Sequence, residues 1–149
     1  MIIQTSRFGS LEVDEDRFIT FEQGILGFAD ATEYALVQTG EESAFYWLQA
    51  VHQPDLAFVV CDPRLFVTDY KAPVKAEDVA PIGLTGPAEA QVFVIVNKVD
   101  GFLTGNLQGP LVVNVQTRQA RQLVLSDKRY STRHPLMELP KQEQMSRTG

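Results

Sequence analysis

Histidine, cysteine and carboxylate side chains are the groups of this chain whose chemistry could support catalysis or metal binding. The two histidines are His52 and His134, and neither belongs to an HxH or HxxxH pattern. Zinc and related metals are held by three or four such side chains, commonly at these short spacings. We therefore predict no metal site and no cofactor, and we expect both histidines in turns or at the surface.

The single cysteine, Cys61, ends the apolar run Ala-Phe-Val-Val-Cys. A reactive thiolate needs partly exposed, electropositive surroundings, so this position is typical of a small core residue. A lone cysteine forms no intramolecular disulfide, which favours a reducing compartment, and we expect the cytoplasm. The N-terminus lacks the pattern of a secretory signal, and no apolar stretch approaches the length of a membrane span. We expect no membrane association.

Carboxylates and glycines complete the search for catalytic chemistry. The triplet Asp14-Glu15-Asp16 lacks the glycine and the later glutamate of a calcium loop, which predicts a solvated turn. Acid–base catalysis by a carboxylate pair such as Asp55 and Asp62 depends on their separation in space. No GxSxG, GK[ST] or GxGxxG pattern occurs. We therefore predict that the protein is not an enzyme.

The charge of the chain is distributed unevenly. The formal net charge is −6, and residues 1–62 hold 11 acidic and 2 basic side chains, whereas residues 101–149 hold 3 acidic and 7 basic ones. A negative field repels the phosphates of nucleic acids and speeds encounter with basic proteins. We expect no direct nucleic-acid binding and favour a basic protein partner.

The elements that must position these groups are mostly strands. Short apolar or alternating runs bounded by turn residues recur along the chain, at 1–5, 11–13, 18–21, 34–38, 45–50, 56–61, 91–97, 111–115 and 122–125. Residues 65–70 are predicted as a brief extended piece. Helical spacing is limited to one short helix near 74–79 and one turn near 30–33. So many short strands need a sandwich or a closed barrel to bury their apolar faces, and we favour the barrel.

The fold prediction is an all-β, small antiparallel β-barrel-like single domain with one or two short helices. We assign residues 1–137 to this domain and residues 138–149 to a disordered tail. The glycine-rich segment 24–28 is predicted to plug one end of the core with its apolar side chains. Five aromatic residues lie in or beside predicted loops, namely Phe28, Trp47, Phe66, Tyr70 and Phe102. If two or three of them lie outside together, they form an apolar patch that suits an amphipathic helix.

Several segments, taken in order, resemble one protein family. They are Phe21-x-x-Gly24-Ile25-Leu26-Gly27-Phe28, FYWLQAV at 45–51, LAFVVCDP at 56–63, Asp69-Tyr70, TGNL at 104–107, GPLVVN at 109–114, QLVL at 122–125, Tyr130 and RHPL at 133–136. Their order and spacing are similar to those of the FliW family of flagellar assembly factors, over about residues 1–137.

The resemblance implies a protein without catalytic activity that binds two partners. One is flagellin, and the other is CsrA, a small basic RNA-binding dimer that represses flagellin translation. Accumulated flagellin would occupy the protein and leave CsrA free to repress, whereas export of flagellin would free the protein to bind CsrA. We place the protein-binding residues at Glu41, Glu42, Asp69, Tyr70, Glu77 and Asp78, with the acidic ones facing CsrA.

Two alternatives are carried forward. The first is a small-molecule-binding barrel, with ligand held in the barrel mouth near Trp47 and His52. A closed polar cavity favours this hypothesis, and a solid apolar interior opposes it. The second is a flagellin chaperone that has no regulatory partner, which predicts binding of flagellin alone.

Overall fold

The computed structural model describes residues 1–38, 43–71, 74–85 and 90–140. Their strands are β1 Ile2–Thr5, β2 Gly9–Glu12, β3 Ile19–Phe21, β4 Glu33–Val37, β5 Phe45–Ala50, β6 Ala57–Cys61, β7 Ala90–Val99, β8 Phe102–Gly105, β9 Leu111–Asn114, β10 Gln119–Gln122 and β11 His134–Glu138. One α-helix, α1, spans Ala76–Val79, and 3-10 turns occupy Glu15–Arg17, Pro63–Leu65 and Ala80–Ile82. No helix of the described residues is long and apolar enough to cross a lipid bilayer.

Seven of the strands close into a ring of hydrogen bonds. The order β7-β6-β5-β4-β3-β10-β9 is completed by pairing of β9 back onto β7. The ten-residue β7 makes this possible, because its first half pairs with β9 and its second half pairs with β8. The β8 strand in turn pairs with β11, and β1 and β2 form a separate hairpin. The predicted all-β, barrel-like architecture is confirmed.

The pairings are antiparallel with one exception. The strands β3 and β10 run parallel, with Thr20 opposite Gln119 and Phe21 opposite Ala120. This pair brings the β9–β10 turn beside the residues that precede β3, and the N–H of Thr20 donates to the carbonyl of Arg118 at 2.9 Å. The prediction of an antiparallel sheet is therefore confirmed for the other described strand pairs and is wrong for β3 and β10.

Some predicted elements differ from those observed. The helical turn expected at 30–33 is absent, because Glu33 already begins β4. Residues 63–70 form a 3-10 turn and further turns in place of an extended piece, since Pro63 starts the turn and the Asp62 side chain accepts from the N–H of Arg64. The predicted strand at 122–125 begins earlier, as β10, yet Leu123 and Leu125 still donate to the carbonyls of Pro110 and Gln108.

The ring is packed on both faces. Its interior holds the largest cluster of buried side chains, namely Ile19, Phe21, Ile25, Ala31, Tyr34, Leu48, Ala50, Val60, Phe93, Leu111, Val113 and Ala120. On β7, Phe93 faces this interior whereas Val94 faces an outer cluster with Tyr70 and Leu107. The β1–β2 hairpin covers another outer face, where Ile3 packs against Ala35.

The chain remains ordered to the end of the described residues. Leu139 is buried and its N–H donates to the carbonyl of Gly101 at 2.9 Å, although residues 138–140 are predicted from the sequence to belong to the tail. The remaining tail, residues 141–149, lies outside the described residues.

Candidate protein-binding surfaces

Among the described residues, the two histidines, Cys61 and the carboxylates of Asp55 and Asp62 do not gather at one place. His52 lies in an exposed turn with its Nε2 3.1 Å from Glu33 Oε1, and His134 lies in β11 opposite Gly105. Within the described residues, no three His, Cys, Asp or Glu side chains are close enough to share a metal ion. The carboxylates of Asp55 and Asp62, whose separation the sequence left open, lie at opposite ends of β6, because Asp55 precedes the strand and Asp62 follows it.

Cys61 is a core residue, as predicted. Its side chain is fully buried at the end of β6. Burial, together with the negative charge of Asp62, raises the pKa of the thiol to about 12. The side chain is therefore a neutral thiol at physiological pH and lacks the thiolate character of a nucleophile.

The ring has two different ends. We call the end formed by residues 22–30, 51–56, 106–110 and 122–124 the closed end, because Ile25 is buried there against the interior cluster. The predicted plug is confirmed for Ile25. It is wrong for Leu26, which is 75% exposed, because a residue at the tip of a tight turn points away from the core.

The opposite end, which we call the open end, carries a groove of about 960 Å³. Its apolar walls include Leu36, Tyr46 and Phe93, and its charged lining residues are Glu12, Asp14, Arg17, Asp62 and Arg118. The groove is bounded by the β1–β2 hairpin on one side and by the first residues of β7 on the other.

Two of the charged lining residues have fixed positions. Arg118 has a left-handed backbone, with φ of 65°, and its Nη2 donates to the carbonyl of Arg17 at 2.9 Å. Burial opposes ionisation of Asp62, but hydrogen bonds from Arg64 and the positive charge of that residue outweigh burial and lower the pKa of the carboxyl. Asp62 is therefore a carboxylate at physiological pH, paired with Arg64 at 3.0 Å.

Among the residues that the structure describes, the densest group of exposed carboxylates lies beside this groove. Asp14, Glu15 and Asp16 are all exposed at the 3-10 turn that precedes β3, as the solvated-turn prediction requires. Their carboxylates form no ion pair within the described part of the chain. Glu12 pairs with the N-terminal ammonium of Met1, at 3.4 Å. The open end therefore presents a cluster of carboxylates that faces solvent.

The residues predicted to bind a protein partner are only partly at the surface. Asp69 and Glu77 are exposed, and Asp78 is half-buried. Lys71 and Lys75 lie in the same segment, and Arg121 Nη1 donates to the carbonyl of Asp78 at 2.6 Å. Lys71 and Lys75 reduce the formal net charge of residues 69–78 to −1, compared with −3 for residues 14–16. The other two predicted residues, Glu41 and Glu42, lie outside the described residues.

Tyr70 is a buried structural residue. Its hydroxyl donates to the carbonyl of Leu107 at 2.7 Å, and its ring packs edge-on against Tyr130 with centroids 4.9 Å apart. Burial and the neighbouring Tyr130 raise the pKa of its hydroxyl above the usual value. Tyr70 was predicted to bind a partner at the surface, but its side chain is buried. It instead links the 66–71 segment to the residues after β8.

The loop aromatics do not form one exposed patch. Trp47 is covered by Phe8, at 5.9 Å between ring centroids, and by the guanidinium of Arg7, at 4.1 Å. Phe66 stacks on Phe45, and Tyr70 is buried, which leaves Phe28 and Phe102 as the exposed members. Phe28 belongs to the closed end and Phe102 to β8, so the patch predicted from this group is not observed.

The arrangement also opposes the small-molecule hypothesis. Trp47 faces outward from the ring and His52 lies at the closed end, so neither lines the groove at the open end. The described ring interior is packed with apolar side chains, and burial raises the pKa of the Tyr34 phenol among them to about 12. A packed apolar interior of this kind opposes the hypothesis that a small molecule binds there.

Comparison with known proteins gives a consistent match along the described fold. The family model "FliW protein" matches residues 2–136. The flagellar assembly factor FliW of Bdellovibrio bacteriovorus is 41% identical over 138 residues, which cover 91% of this chain and 79% of that protein. The flagellar assembly factor FliW of Magnetococcus marinus is 39% identical over 140 residues, or 92% and 85% of the two chains.

A solved structure supports the same relationship. A crystal structure of a flagellar assembly factor FliW superposes with a TM-score of 0.83 at 32% sequence identity, covering 92% of this chain and 97% of that one. This chain therefore shares its fold with that flagellar assembly factor.

Proposed function

Because the chain belongs to the FliW family of flagellar assembly factors, we propose that it acts by binding flagellin and the translational repressor CsrA. Binding of CsrA relieves repression of flagellin translation. Flagellin that accumulates before export occupies the protein and releases CsrA, and export of flagellin reverses the exchange. In this proposal the protein works in the cytoplasm through protein–protein binding and without catalysis.

The observation that carries the CsrA half of the proposal is the exposed carboxylate cluster at the open end. Asp14, Glu15 and Asp16 lie together on one turn, and no Lys or Arg occurs in the sequence between Arg17 and Arg64. Opposite potentials raise the rate of encounter and orient the partners during docking. A small basic dimer is the partner that such a surface favours.

A second group of contacts is proposed on the segment that follows β6. Asp69, Glu77 and Asp78 are the carboxylates assigned to CsrA on this segment. Glu41 and Glu42, which precede β5 in the sequence, are assigned to the same partner. Exposure of Asp69 and Glu77 supports this assignment. Tyr70 contributes indirectly, since its bond to Leu107 fixes the backbone next to Asp69.

The test uses purified protein with CsrA and flagellin from the same bacterium. Titration calorimetry should give a saturable complex with each partner, and addition of this protein to a cell-free translation reaction should restore flagellin synthesis that CsrA represses. Glu15→Lys with Asp16→Lys should weaken CsrA binding more than Glu138→Lys, which alters an exposed glutamate on β11.

The outcomes separate the competing functions. Binding of flagellin without CsrA would establish the chaperone that lacks a regulatory partner. Binding of neither protein would overturn the proposal. Binding of both without restored translation would remove the regulatory step and leave the two interactions.

A further inference from the structure

The closed end displays an aliphatic side chain on a rigid turn. Residues 25–28 form a tight turn in which the N–H of Phe28 donates to the carbonyl of Ile25 at 2.6 Å. Ile25 points inward and is buried, whereas Leu26 stands at the tip and is 75% exposed. An exposed leucine at a turn tip has no role in the packing of its own chain.

The backbone around this leucine is fixed by several constraints. Gly24 and Gly27 have φ of +70° and +88°, values that side chains other than glycine adopt at a cost. The N–H of Leu26 donates to Gln122 Oε1 at 2.8 Å, and Gln122 Nε2 donates to the carbonyl of Gly109 at 3.1 Å. The turn is thereby tied to β10 and to the loop before β9, so Leu26 is held in one place before any partner arrives.

Two further apolar side chains extend the surface. Val124 is 72% exposed and follows Gln122 by two positions in extended chain, so the two side chains point to the same side. Phe28 is 41% exposed and its ring packs edge-on against Phe58 at 5.1 Å. Leu26 and Phe28 thus lie on the turn that Gln122 anchors, and Val124 lies two positions beyond Gln122, so all three add exposed apolar area to the closed end.

The charges at the closed end have one sign. The segments that form it contain Glu22, Asp30 and Asp55 and no Lys or Arg. Arg121 precedes Gln122 in β10 and points to the opposite face, where it donates to the carbonyl of Asp78. The apolar surface is therefore bordered by exposed carboxylates.

We propose that the closed end is the docking surface for a positively charged amphipathic helix of a protein partner. The apolar stripe of the helix covers Leu26, Phe28 and Val124, and its lysines or arginines meet the surrounding carboxylates. An added strand does not fit, because the amides of Gly24, Leu26 and Phe28 are already used in internal hydrogen bonds. An anionic membrane does not fit either, since the carboxylates repel its headgroups.

A helix of this chemistry should bind the closed end whether or not the protein also binds CsrA or flagellin. The probe is a fluorescein-labelled, 18-residue designed helix with leucines on one face and lysines on the other. Fluorescence anisotropy at physiological salt should show saturable binding to the full chain. A second peptide, with glutamate in place of lysine on the same scaffold, should show none.

Matched variants locate the binding. Leu26→Ser should weaken peptide binding at least tenfold, whereas Leu65→Ser, which alters a leucine that is 62% exposed at the open end, should change it less than twofold. The triple variant Glu22→Gln, Asp30→Asn, Asp55→Asn should weaken binding and flatten its salt dependence. Circular dichroism and urea unfolding confirm that each variant is folded before it is compared.

The remaining outcomes would overturn the proposal. These are absence of binding by the wild-type chain, equal losses for Leu26→Ser and Leu65→Ser, or equal binding of the two peptides. Vesicles of phosphatidylcholine and phosphatidylglycerol form the last arm. Binding to these vesicles that is lost in Leu26→Ser would reassign the surface to a membrane.

Discussion

The hydroxyl of Tyr70 donates a 2.7 Å hydrogen bond to the carbonyl oxygen of Leu107, a residue 37 positions further along the chain. Both residues are buried in the cluster that also contains Cys61, Val94 and Val96. The tyrosine of the Asp69-Tyr70 pair therefore has a packing role, because its hydrogen bond holds the segment that exposes Asp69.

Removal of this hydroxyl should lower the stability of the fold. Tyr70→Phe leaves the buried carbonyl of Leu107 without its donor, and we expect a loss of about 1–2 kcal/mol in the free energy of unfolding. Urea unfolding at pH 7 measures it. Tyr130→Phe is the control, since its bond to the carbonyl of Lys71 is exposed and should be worth less. Equal losses in the two variants would contradict the role assigned to Tyr70.

The glycines of the closed end should differ in their tolerance of alanine. A Cβ on Gly24 would lie 2.6 Å from Ala29 Cα and 2.7 Å from Phe28 O, whereas a Cβ on Gly27 meets nothing within 4 Å. Gly27→Ala carries only the strain of a positive φ, of order 1–2 kcal/mol, and Gly24→Ala adds a backbone clash. Thermal unfolding should rank the wild type above Gly27→Ala and Gly27→Ala above Gly24→Ala, and the reverse order of the variants would exclude the clash.

Much of the fold follows from the sequence because strand patterns are local. The β-branched run in β7 and the aromatic-rich run in β5 identify two strands of the ring without any tertiary information. The strand pattern does not predict the hairpin of β7 and β8, although Asp100-Gly101 is a turn signal and both residues have positive φ. Closure of the ring through the parallel β3–β10 pair has no local signal, since it joins residues about a hundred positions apart.

The candidate surfaces follow from the sequence less well. Composition identifies the acidic half, but it does not show which carboxylates are exposed, and Asp78 of the predicted segment is half-buried. Tyr70 and Leu26 show the same limit in opposite directions. The loop position of Tyr70 predicts exposure, yet the side chain is buried because its hydroxyl bonds the carbonyl of Leu107. The apolar type of Leu26 predicts burial, yet the side chain is exposed because its backbone is bonded to Gln122 at the tip of a turn.

Cys61 should resist thiol reagents in the native protein. Its side chain is fully buried, and burial with the nearby Asp62 raises the pKa of the thiol to about 12. Labelling by Ellman's reagent at pH 8 should be slower than in urea by about a thousandfold or more, because it requires opening of the fold. Val115→Cys adds a thiol at an exposed site and should give one rapidly labelled equivalent. Rapid labelling of the wild type would contradict the burial of Cys61.

Asp62 should contribute a pH-dependent part of the stability. Arg64 lowers the pKa of this carboxyl in the folded state, despite the opposing effect of burial. The contribution is therefore present above the unfolded pKa, near 4, and is lost as the pH falls through the lower folded pKa. Asp62→Asn should be less stable than the wild type at pH 7, and the difference should shrink by pH 2.5. Urea unfolding at both values tests this, and a difference that is constant with pH would refute it.

Reversal of charge on α1 should weaken CsrA binding if the second contact group is placed correctly. Glu77 is exposed and Asp78 half-exposed, but Lys71 and Lys75 lie nearby in the chain, so the expected effect is on the association rate more than on the lifetime of the complex. Glu77→Lys with Asp78→Lys should reduce that rate about three- to tenfold at low salt and little at high salt, since salt screens exposed charges. Surface plasmon resonance at two salt concentrations measures both rates.

Glu77→Lys alone compared with Glu138→Lys controls for net charge, because each alters one exposed glutamate. Unchanged affinity at low salt would move the CsrA contact away from α1, and a loss in Glu15→Lys with Asp16→Lys would then place it at the open end.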